Sequence, residues 1–214
     1  MGSLIERLKV FSLKKILEIH SLSYRLAGSL SQKVEKNGLH PKHRIMNYHK
    51  FFVNNIEEGD TVLDIGCGNG ALTFDLAKKA KKVVGIDINE KNIEVAKSKY
   101  NSANIEYKVG DATKDLDNKK FDAVVLSNIL EHIEDREDFL NKIKNLAPKI
   151  LIRVPMINRD WITLYKKELG LEWRSDKTHF IEYTLDSFKK EIKKIGLGLE
   201  NYSIQFGEIW AVIK

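Results

Sequence analysis

A glycine-rich loop that follows an apolar run constrains the fold of this chain more than any other feature. Thr61–Ile65 is a short β-branched and apolar run, typical of a central parallel strand that is covered on both faces. Gly66, Gly68 and Gly70 follow at alternate positions, where the absence of a Cβ atom lets the backbone turn tightly and approach a ligand. Residues 71–77 continue as a predicted helix, whose free N–H groups and dipole point at the loop. The pattern predicts a nucleotide-type cofactor site.

The loop alone leaves the cofactor open, because Gly66, Gly68 and Ala71 also satisfy the dinucleotide fingerprint G-x-G-x-x-A. The strands predicted after it carry more information. Residues 83–87 end in Asp87, which is placed to accept hydrogen bonds from both hydroxyls of a ribose. Residues 105–109 lead to Asp111, whose carboxylate can bind an adenine amino group while the next backbone N–H meets the ring.

A fourth predicted strand, residues 121–126, is followed by Ser127-Asn128-Ile129-Leu130-Glu131-His132. With these four ordered motifs, the sequence closely resembles the class I S-adenosylmethionine-dependent methyltransferases over roughly residues 40–214. The resemblance implies a methyltransferase whose cofactor is S-adenosylmethionine.

The expected fold is α/β, a Rossmann-like doubly wound sheet of seven strands with additional N-terminal helices. Alternation of strands with helices predicts the parallel part of the sheet. Residues 199–205 and 208–213 predict a terminal antiparallel hairpin, which is characteristic of the methyltransferase sheet and is not expected in a nicotinamide dehydrogenase. We expect an N-terminal helical extension over residues 1–56 that caps the active site, and a methyltransferase domain over 57–214 with a substrate-side insertion at 156–178.

The spacing of apolar residues predicts one amphipathic helix over residues 4–19 and a second over 22–34, although Gly28 and three serines weaken the second. Pro41 then opens a third predicted helix, which runs to about Asn55.

The resemblance assigns the cofactor-binding role to residues at the ends of the four strands. Asp64 orders the loop or the cofactor amino group, and Cys67 is a small loop residue rather than a nucleophile, since the sequence places no histidine next to it. The expected cofactor-binding residues in this part of the chain are Asp64, Gly66, Cys67, Gly68, Gly70, Asp87, Ile88, Asp111, Ala112, Ser127 and Asn128.

The segment His43-Arg44-Ile45 is similar to the stretch before the glycine loop in ubiquinone-biosynthesis O-methyltransferases. There an arginine helps to hold the methionine carboxylate of the cofactor, a task suited to a planar and permanently charged group. The resemblance implies this role for Arg44, with Tyr48 one turn later on the same helix face. The alternative is that these residues only decorate a surface helix.

Two histidines are candidates for catalysis. His132 can act as a general base near neutral pH, or it can orient the loop after the fourth strand. His179 is placed by the resemblance near the mouth of the pocket. Some related methyltransferases use a Glu-x-x-Glu-His metal site, but here Asn128 stands at the first glutamate position. We therefore predict no metal requirement.

Charge is unevenly distributed along the chain. The net charge is +6, and residues 1–50 hold ten Lys or Arg against three Asp or Glu. This basic segment is either a solvated helical face or a surface attracted to an anionic substrate, a nucleic acid or, through peripheral contact, a membrane. No apolar run approaches the roughly 20 residues of a membrane span, and a single cysteine fits a reducing compartment, so we expect a cytoplasmic protein.

The leading functional hypothesis is methylation of a hydroxyl on a small-molecule, lipid-linked or sugar-linked acceptor. One alternative is an RNA methyltransferase whose basic N-terminal segment grips phosphates. Against a nucleic-acid partner, the chain has no appended RNA-binding module and no Asn-Pro-Pro-Tyr-type motif after the fourth strand. The other alternative is a catalytically inactive cofactor-binding protein that serves as a partner subunit.

Overall fold

The computed structural model describes residues 4–35, 40–115 and 119–214, and its Cα positions divide into two compact units. The first unit comprises residues 1–47 and 160–177, and the second comprises residues 48–159 and 178–214. The expected domain boundary at residue 56 and the expected capping role of the N-terminal helices stay predictions. The helices are α1 (Leu4–Val34), α2 (Lys42–Met46), α3 (Tyr48–Asn54), α4 (Ala71–Ala77), α5 (Glu90–Lys99), α6 (Arg136–Ile143), α7 (Trp161–Glu168) and α8 (Leu185–Lys194).

The second unit is built on a seven-stranded sheet. Five strands run parallel, and a terminal hairpin adds the last two, the final strand pairing antiparallel with β5. The strand order is β3-β2-β1-β4-β5-β7-β6, which confirms the predicted fold. The strands are β1 (Thr61–Ile65), β2 (Lys82–Asp87), β3 (Ile105–Val109), β4 (Ala123–Ser127), β5 (Ile150–Pro155), β6 (Leu199–Gln205) and β7 (Glu208–Ile213).

The order of strands reverses between β1 and β4, so the chain leaves these two neighbours in opposite directions. Such a reversal opens a crevice at the carboxyl ends of the strands, where ligands bind in open α/β sheets. The central strands are buried on both faces because their residues are almost continuously apolar, as in β4 and β5. The core therefore fixes the position of the crevice.

The N-terminal helix differs from the prediction. The two helices expected over residues 4–19 and 22–34 form a single helix, α1, of 31 residues. Ser23 and Ser31 of the second predicted helix do not interrupt it, because their hydroxyls donate to the carbonyls of His20 and Gly28, three residues earlier. Ser21, just before that range, donates in the same way to the carbonyl of Leu17. Hydroxyl groups that could compete with the helix are thus satisfied within it.

The third predicted helix is also different, because it is interrupted. α2 ends at Met46, Asn47 follows with a left-handed backbone (φ 49°), and α3 begins at Tyr48. Asparagine tolerates this conformation better than most residues. The expectation that Arg44 and Tyr48 share one helix face was therefore wrong.

Side chains cap the first turns of two helices. Asn89 accepts a hydrogen bond from Lys91 at the start of α5, and Thr184 forms a reciprocal capping box with Ser187 at the start of α8. Among the described residues, no helix combines the length and the apolar character that crossing a membrane requires.

Candidate cofactor and active site

The glycine loop leaves β1 and is held against the end of β2. The backbone N–H groups of Gly66 and Cys67 both donate to the carbonyl of Ile86, over 2.8 and 3.1 Å. Gly66, Gly68 and Gly70 all have positive φ, at 68°, 55° and 85°. Since L side chains rarely adopt this conformation, the three glycines are what lets the loop turn here.

The surroundings of the three glycines differ. A Cβ added at Gly66 would lie 2.0 Å from the side chain of Ile129, and one at Gly70 would lie 2.6 Å from the hydroxyl of Tyr107. A Cβ at Gly68 would have no atom within 4 Å. Gly66 and Gly70 therefore allow close packing of the protein, whereas Gly68 faces open space in which a ligand could approach the backbone.

Asp87 ties the loop to the end of β2. Its carboxylate accepts hydrogen bonds from the N–H of Gly68 and from the N–H of Asn89, each over 2.8 Å, and from the amide of Asn92 over 3.3 Å. A carboxylate offers about four acceptor positions, so this one retains capacity for a ligand hydroxyl. The neighbouring Ile88 is 72% exposed, which leaves an apolar side chain uncovered beside this carboxylate.

Asp64 lies beneath the loop and is almost completely buried. The hydroxyl of Thr73 in α4 donates to its carboxylate over 2.6 Å. The pKa of Asp64 is raised to about 7, mainly by burial. The hydrogen bond from Thr73 acts to lower this pKa, and the charge of Asp87 acts to raise it. Asp64 thus links β1 to the helix that follows the loop.

Cys67 packs inward from the loop with Ile93, Ala96 and Tyr107. Burial is the main cause that raises the pKa of its thiol, and the charges of Asp64 and Asp87 add to it. A thiol with a raised pKa stays protonated and is a poor nucleophile, which supports a packing role.

Asp111 and Ala112 follow β3 at the same edge of the sheet. The carboxylate of Asp111 accepts from the hydroxyl and the N–H of Thr113, over 2.7 and 2.9 Å, and pairs with Lys114 over 3.1 Å. These hydrogen bonds from Thr113 lower the pKa of Asp111 more than the charge of Lys114 does. Ala112 packs against the core. Asp111 is thus ionised and is oriented by its own turn.

A buried arginine of β5 lies beside the last residue of β4, and sequence reasoning missed it. The guanidinium of Arg153 in β5 pairs through two nitrogens with Glu208 of β7, and its centre lies 3.8 Å from the ring centre of Tyr48. It also donates to the hydroxyl of Ser127 over 3.3 Å. A charged residue within the apolar run 150–154 was the signal that could have revealed it.

Asn128 begins the turn after β4 with a left-handed backbone (φ 57°). Its N–H donates to the carbonyl of Arg153 over 2.8 Å, while its side-chain oxygen is buried and has no hydrogen-bond partner among the described residues. A buried acceptor of this kind is available to a donor from outside the protein.

The turn Leu130–His132 brings the predicted histidines together. The rings of His132 and His179 meet edge to face with their centres 4.6 Å apart. Nδ1 of His132 lies 2.9 Å from the hydroxyl of Thr178, and Nδ1 of His179 lies 3.0 Å from Glu182. Glu182 in turn pairs with Arg159.

Glu131 stands beside this pair of histidines. Its carbonyl accepts from the N–H of Phe180 over 2.8 Å, which ties the two segments together. Both carboxylate oxygens are buried without a hydrogen-bond partner among the described residues, and burial raises the pKa of Glu131 to about 8. Glu131 is therefore largely protonated at neutral pH.

Glu131, His132 and His179 are also the residues that could hold a metal ion, since they offer ligand atoms that all lie within 4.8 Å of one another. A cation would need the carboxylate ionised, whereas burial favours its neutral form. The absence of a metal requirement stays a prediction.

Arg44 belongs to the first unit, whereas the residues described above belong to the second. Its guanidinium pairs with Glu35 over 2.8 Å, and its side chain is 69% exposed. The carboxylate-binding role of Arg44 stays a prediction.

Comparison with known proteins connects this geometry to a family. Residues 56–186 match the family model described as a methyltransferase domain. The chain is similar to two enzymes named ubiquinone biosynthesis O-methyltransferase. The one from Pelagibacter ubique is 42% identical over 41% of this chain and 38% of its own length, and the one from Bartonella bacilliformis is 32% identical over 64% and 58%. The chain thus spans about half the length of these relatives.

A solved structure shows the same fold. Magnesium protoporphyrin IX methyltransferase from Synechocystis PCC 6803, solved with bound S-adenosylhomocysteine, superposes with a TM-score of 0.63 at 20% identity over 80% of this chain and 82% of its own. The family model covers more than half of the chain, and the glycine loop lies within the matched residues. The chain therefore belongs to the class I S-adenosylmethionine-dependent methyltransferases.

Proposed function

We propose that this methyltransferase acts on a hydroxyl of a small-molecule, lipid-linked or sugar-linked acceptor, with His132 as the general base. The observation that carries the proposal is the pairing of His132 with His179 directly after β4, beside the reversal of strand order. The names of the curated relatives, which are O-methyltransferases, support a hydroxyl acceptor.

The cofactor residues in this proposal are those at the carboxyl ends of β1 to β4. Asp87 accepts the ribose hydroxyls, Gly68 leaves room for the cofactor against the loop, and Ile88 covers one face of the adenine. Asp111 accepts the adenine amino group with Ala112 beside it, and the unpartnered oxygen of Asn128 accepts a donor of the cofactor. Arg44 is the proposed partner of the methionine carboxylate.

When bound, the cofactor would supply an electrophilic methyl carbon on a positively charged sulfur, and that sulfur would leave as a neutral thioether. The protein therefore has to bind, align and deprotonate the acceptor. In our proposal the ring of His132 takes the proton of the acceptor hydroxyl, which would leave the acceptor oxygen ready to receive the methyl group that the cofactor supplies.

Contacts around His132 support a positioned base. The hydroxyl of Thr178 lies against Nδ1 of His132 and orients its ring. The ring of His179 packs edge to face with the ring of His132. His179 is itself held by Glu182, which Arg159 anchors. His179, Glu182 and Arg159 are positioning residues in this proposal, because they act through His132.

A methyl-transfer assay with a labelled donor tests the proposal, using phenols and catechols, hydroxylated lipids and RNA as acceptors. We expect label in a hydroxyl-bearing compound and none in RNA. We expect His132→Asn to lower kcat at least 100-fold while leaving the affinity for S-adenosylhomocysteine within twofold. His20→Asn in α1 is the matched control and should keep full activity.

Other results would overturn the proposal in distinguishable ways. Label in RNA alone would favour the RNA methyltransferase. Tight binding of S-adenosylhomocysteine without turnover on any acceptor would favour the inactive partner subunit. Full turnover by His132→Asn would exclude the proposed base while leaving the acceptor class intact.

A further inference from the structure

The longest helix carries an apolar surface that the fold does not cover. Ten large apolar side chains of α1 are each at least half exposed, from 51% for Leu22 to 82% for Val34. At 100° per residue they fall on one stripe about 140° wide, which runs the length of the helix, about 46 Å. This apolar stripe consists of Leu4, Ile5, Leu8, Phe11, Ile16, Ile19, Leu22, Leu26, Leu30 and Val34.

The other side of α1 is the side that packs within its own unit. Leu17, which is 5% exposed, lies about 170° around the helix from the centre of the apolar stripe. Ser21, about 40° from Leu17, accepts a hydrogen bond from the buried Lys166 of α7 over 2.8 Å. The apolar stripe is therefore not the packing face of an ordinary core helix.

Basic side chains border the apolar stripe. Arg7, Lys9, Lys15, Arg25 and Lys33 are exposed and lie on the stripe or within about 40° of its edges. Only one acidic residue of α1 lies as close, Glu18, and it pairs with Lys15 over 2.7 Å. Long basic side chains beside an apolar face can extend to phosphates while their methylene groups stay in the apolar layer.

The net positive charge of the molecule comes from the first unit, which contains α1. Residues 1–47 and 160–177 hold 13 Lys or Arg against seven Asp or Glu, which gives +6. Residues 48–159 and 178–214 hold 23 of each. The electrostatic attraction of the protein to an anionic surface is therefore concentrated in the unit that carries the apolar stripe.

We propose that α1 lies along the surface of an anionic phospholipid bilayer, with the apolar stripe buried at the boundary between headgroups and acyl chains. The five basic residues on and beside the apolar stripe bind lipid phosphates. Both the wide apolar face and the basic rim are the properties of helices that bind in the plane of a membrane interface. The proposal does not depend on which acceptor is methylated.

Vesicle flotation of the full chain tests this. We expect little binding to phosphatidylcholine vesicles, and binding that rises with the fraction of phosphatidylglycerol and falls as salt is added. The double variant Leu8→Gln, Ile19→Gln should lower the partition coefficient at least tenfold. The variant Arg7→Glu, Lys33→Glu should lower it at least tenfold on phosphatidylglycerol, since each basic residue near such a surface contributes about fivefold.

The matched control is Val10→Gln, Tyr24→Gln, which replaces two exposed apolar residues of α1 that lie off the apolar stripe. It should change partitioning by less than threefold. Circular dichroism and the affinity for S-adenosylhomocysteine check that every variant is folded.

Three results would overturn the proposal. Equal loss of vesicle binding in the control and in the stripe variants would show that the apolar stripe is not the membrane-binding surface. A dimer in sedimentation equilibrium that Leu8→Gln, Ile19→Gln dissociates, without vesicle binding by the wild type, would make a second copy the occupant. Retention on RNA with no flotation on either vesicle would make nucleic acid the partner of the basic rim.

Discussion

At the scale of single residues, backbone conformation and burial explain why the site needs the residues it has. Gly68 combines a positive φ with open space, and Asp64 combines near-complete burial with a single hydrogen bond from Thr73. Each can be tested by a substitution whose effect on stability is separable from its effect on binding.

Gly68→Ala should lower the affinity for S-adenosylhomocysteine at least tenfold, because the added methyl group occupies the space next to the loop. It should also lower the free energy of unfolding by about 1–2 kcal/mol, the cost of a left-handed backbone. Gly59→Ala is the control, since Gly59 also has a positive φ and open surroundings but precedes β1. Calorimetric titration should show unchanged affinity in Gly59→Ala; equal loss in both variants would show that the effect is strain alone.

The buried carboxyl of Asp64 should make stability depend on pH. Its pKa in the folded state, about 7, lies above the ordinary value of 3.8, so the folded state binds this proton more tightly than the unfolded state does. Its contribution to stability is therefore present at low pH and is lost as the pH rises from about 4 to 7.

In urea unfolding, the free energy of unfolding of Asp64→Asn should rise by about 2–3 kcal/mol relative to that of the wild type as the pH is raised from 5 to 7. Removing the hydrogen bond with Thr73→Val should raise the pKa of Asp64 further and extend this dependence to higher pH. Parallel pH profiles for the wild type and Asp64→Asn would contradict the assignment.

At the scale of elements, the terminal hairpin is joined to the parallel sheet through a buried ion pair. Arg153 of β5 is 3% exposed, and its partner Glu208 begins β7 and also accepts from the indole of Trp210. The pair therefore links the antiparallel hairpin to β5, the strand beside β4.

Glu208→Gln should lower the free energy of unfolding by about 3 kcal/mol, because it leaves the buried guanidinium of Arg153 without a counter-charge. Glu200→Gln in the same hairpin removes an exposed pair with Lys214 and should cost less than about 1 kcal/mol. Urea denaturation of both variants measures the difference, and a comparable small loss in both would show that burial adds nothing to the Arg153 pair.

The elements were predictable where one local pattern decides them. The apolar runs of β1 and β4 and the cap of Asn89 are legible in the sequence because burial and capping act over a few residues. The continuity of α1 and the break at Asn47 were not, because Ser and Asn fit both helical and non-helical conformations and their surroundings select one.

At the scale of the whole molecule, the candidate site is assembled from segments that are distant in sequence. Resemblance assigned expected roles to the residues at the ends of β1 to β4 and to His179, since each follows a recognisable pattern. It did not assign Glu182 as the partner of His179, and it missed the pair of Arg153 with Glu208, because that contact depends on how β5 and β7 align.

Binding of the cofactor should stabilise the whole molecule. At a concentration 100 times its Kd, S-adenosylhomocysteine should add about 2.7 kcal/mol to the free energy of unfolding, which corresponds to a rise in Tm of about 5–10 °C for a chain of this size. NADH should leave the Tm unchanged, as should S-adenosylhomocysteine with Asp87→Ala. A shift caused by NADH would contradict the assigned cofactor.

The order of strands in the sheet also has a consequence for the time course of folding. β1 pairs with β2 after a short crossover, but its pairing with β4 joins residues that are 61 positions apart in the sequence. The contact between His132 and Thr178 joins residues that are 46 positions apart. Parallel pairings at such separations form slowly, because loop entropy is lost before the contacts compensate for it. In a stopped-flow refolding experiment, we therefore expect the helical signal to return first and cofactor binding to return last. The recovery of cofactor binding then measures when the sheet is complete.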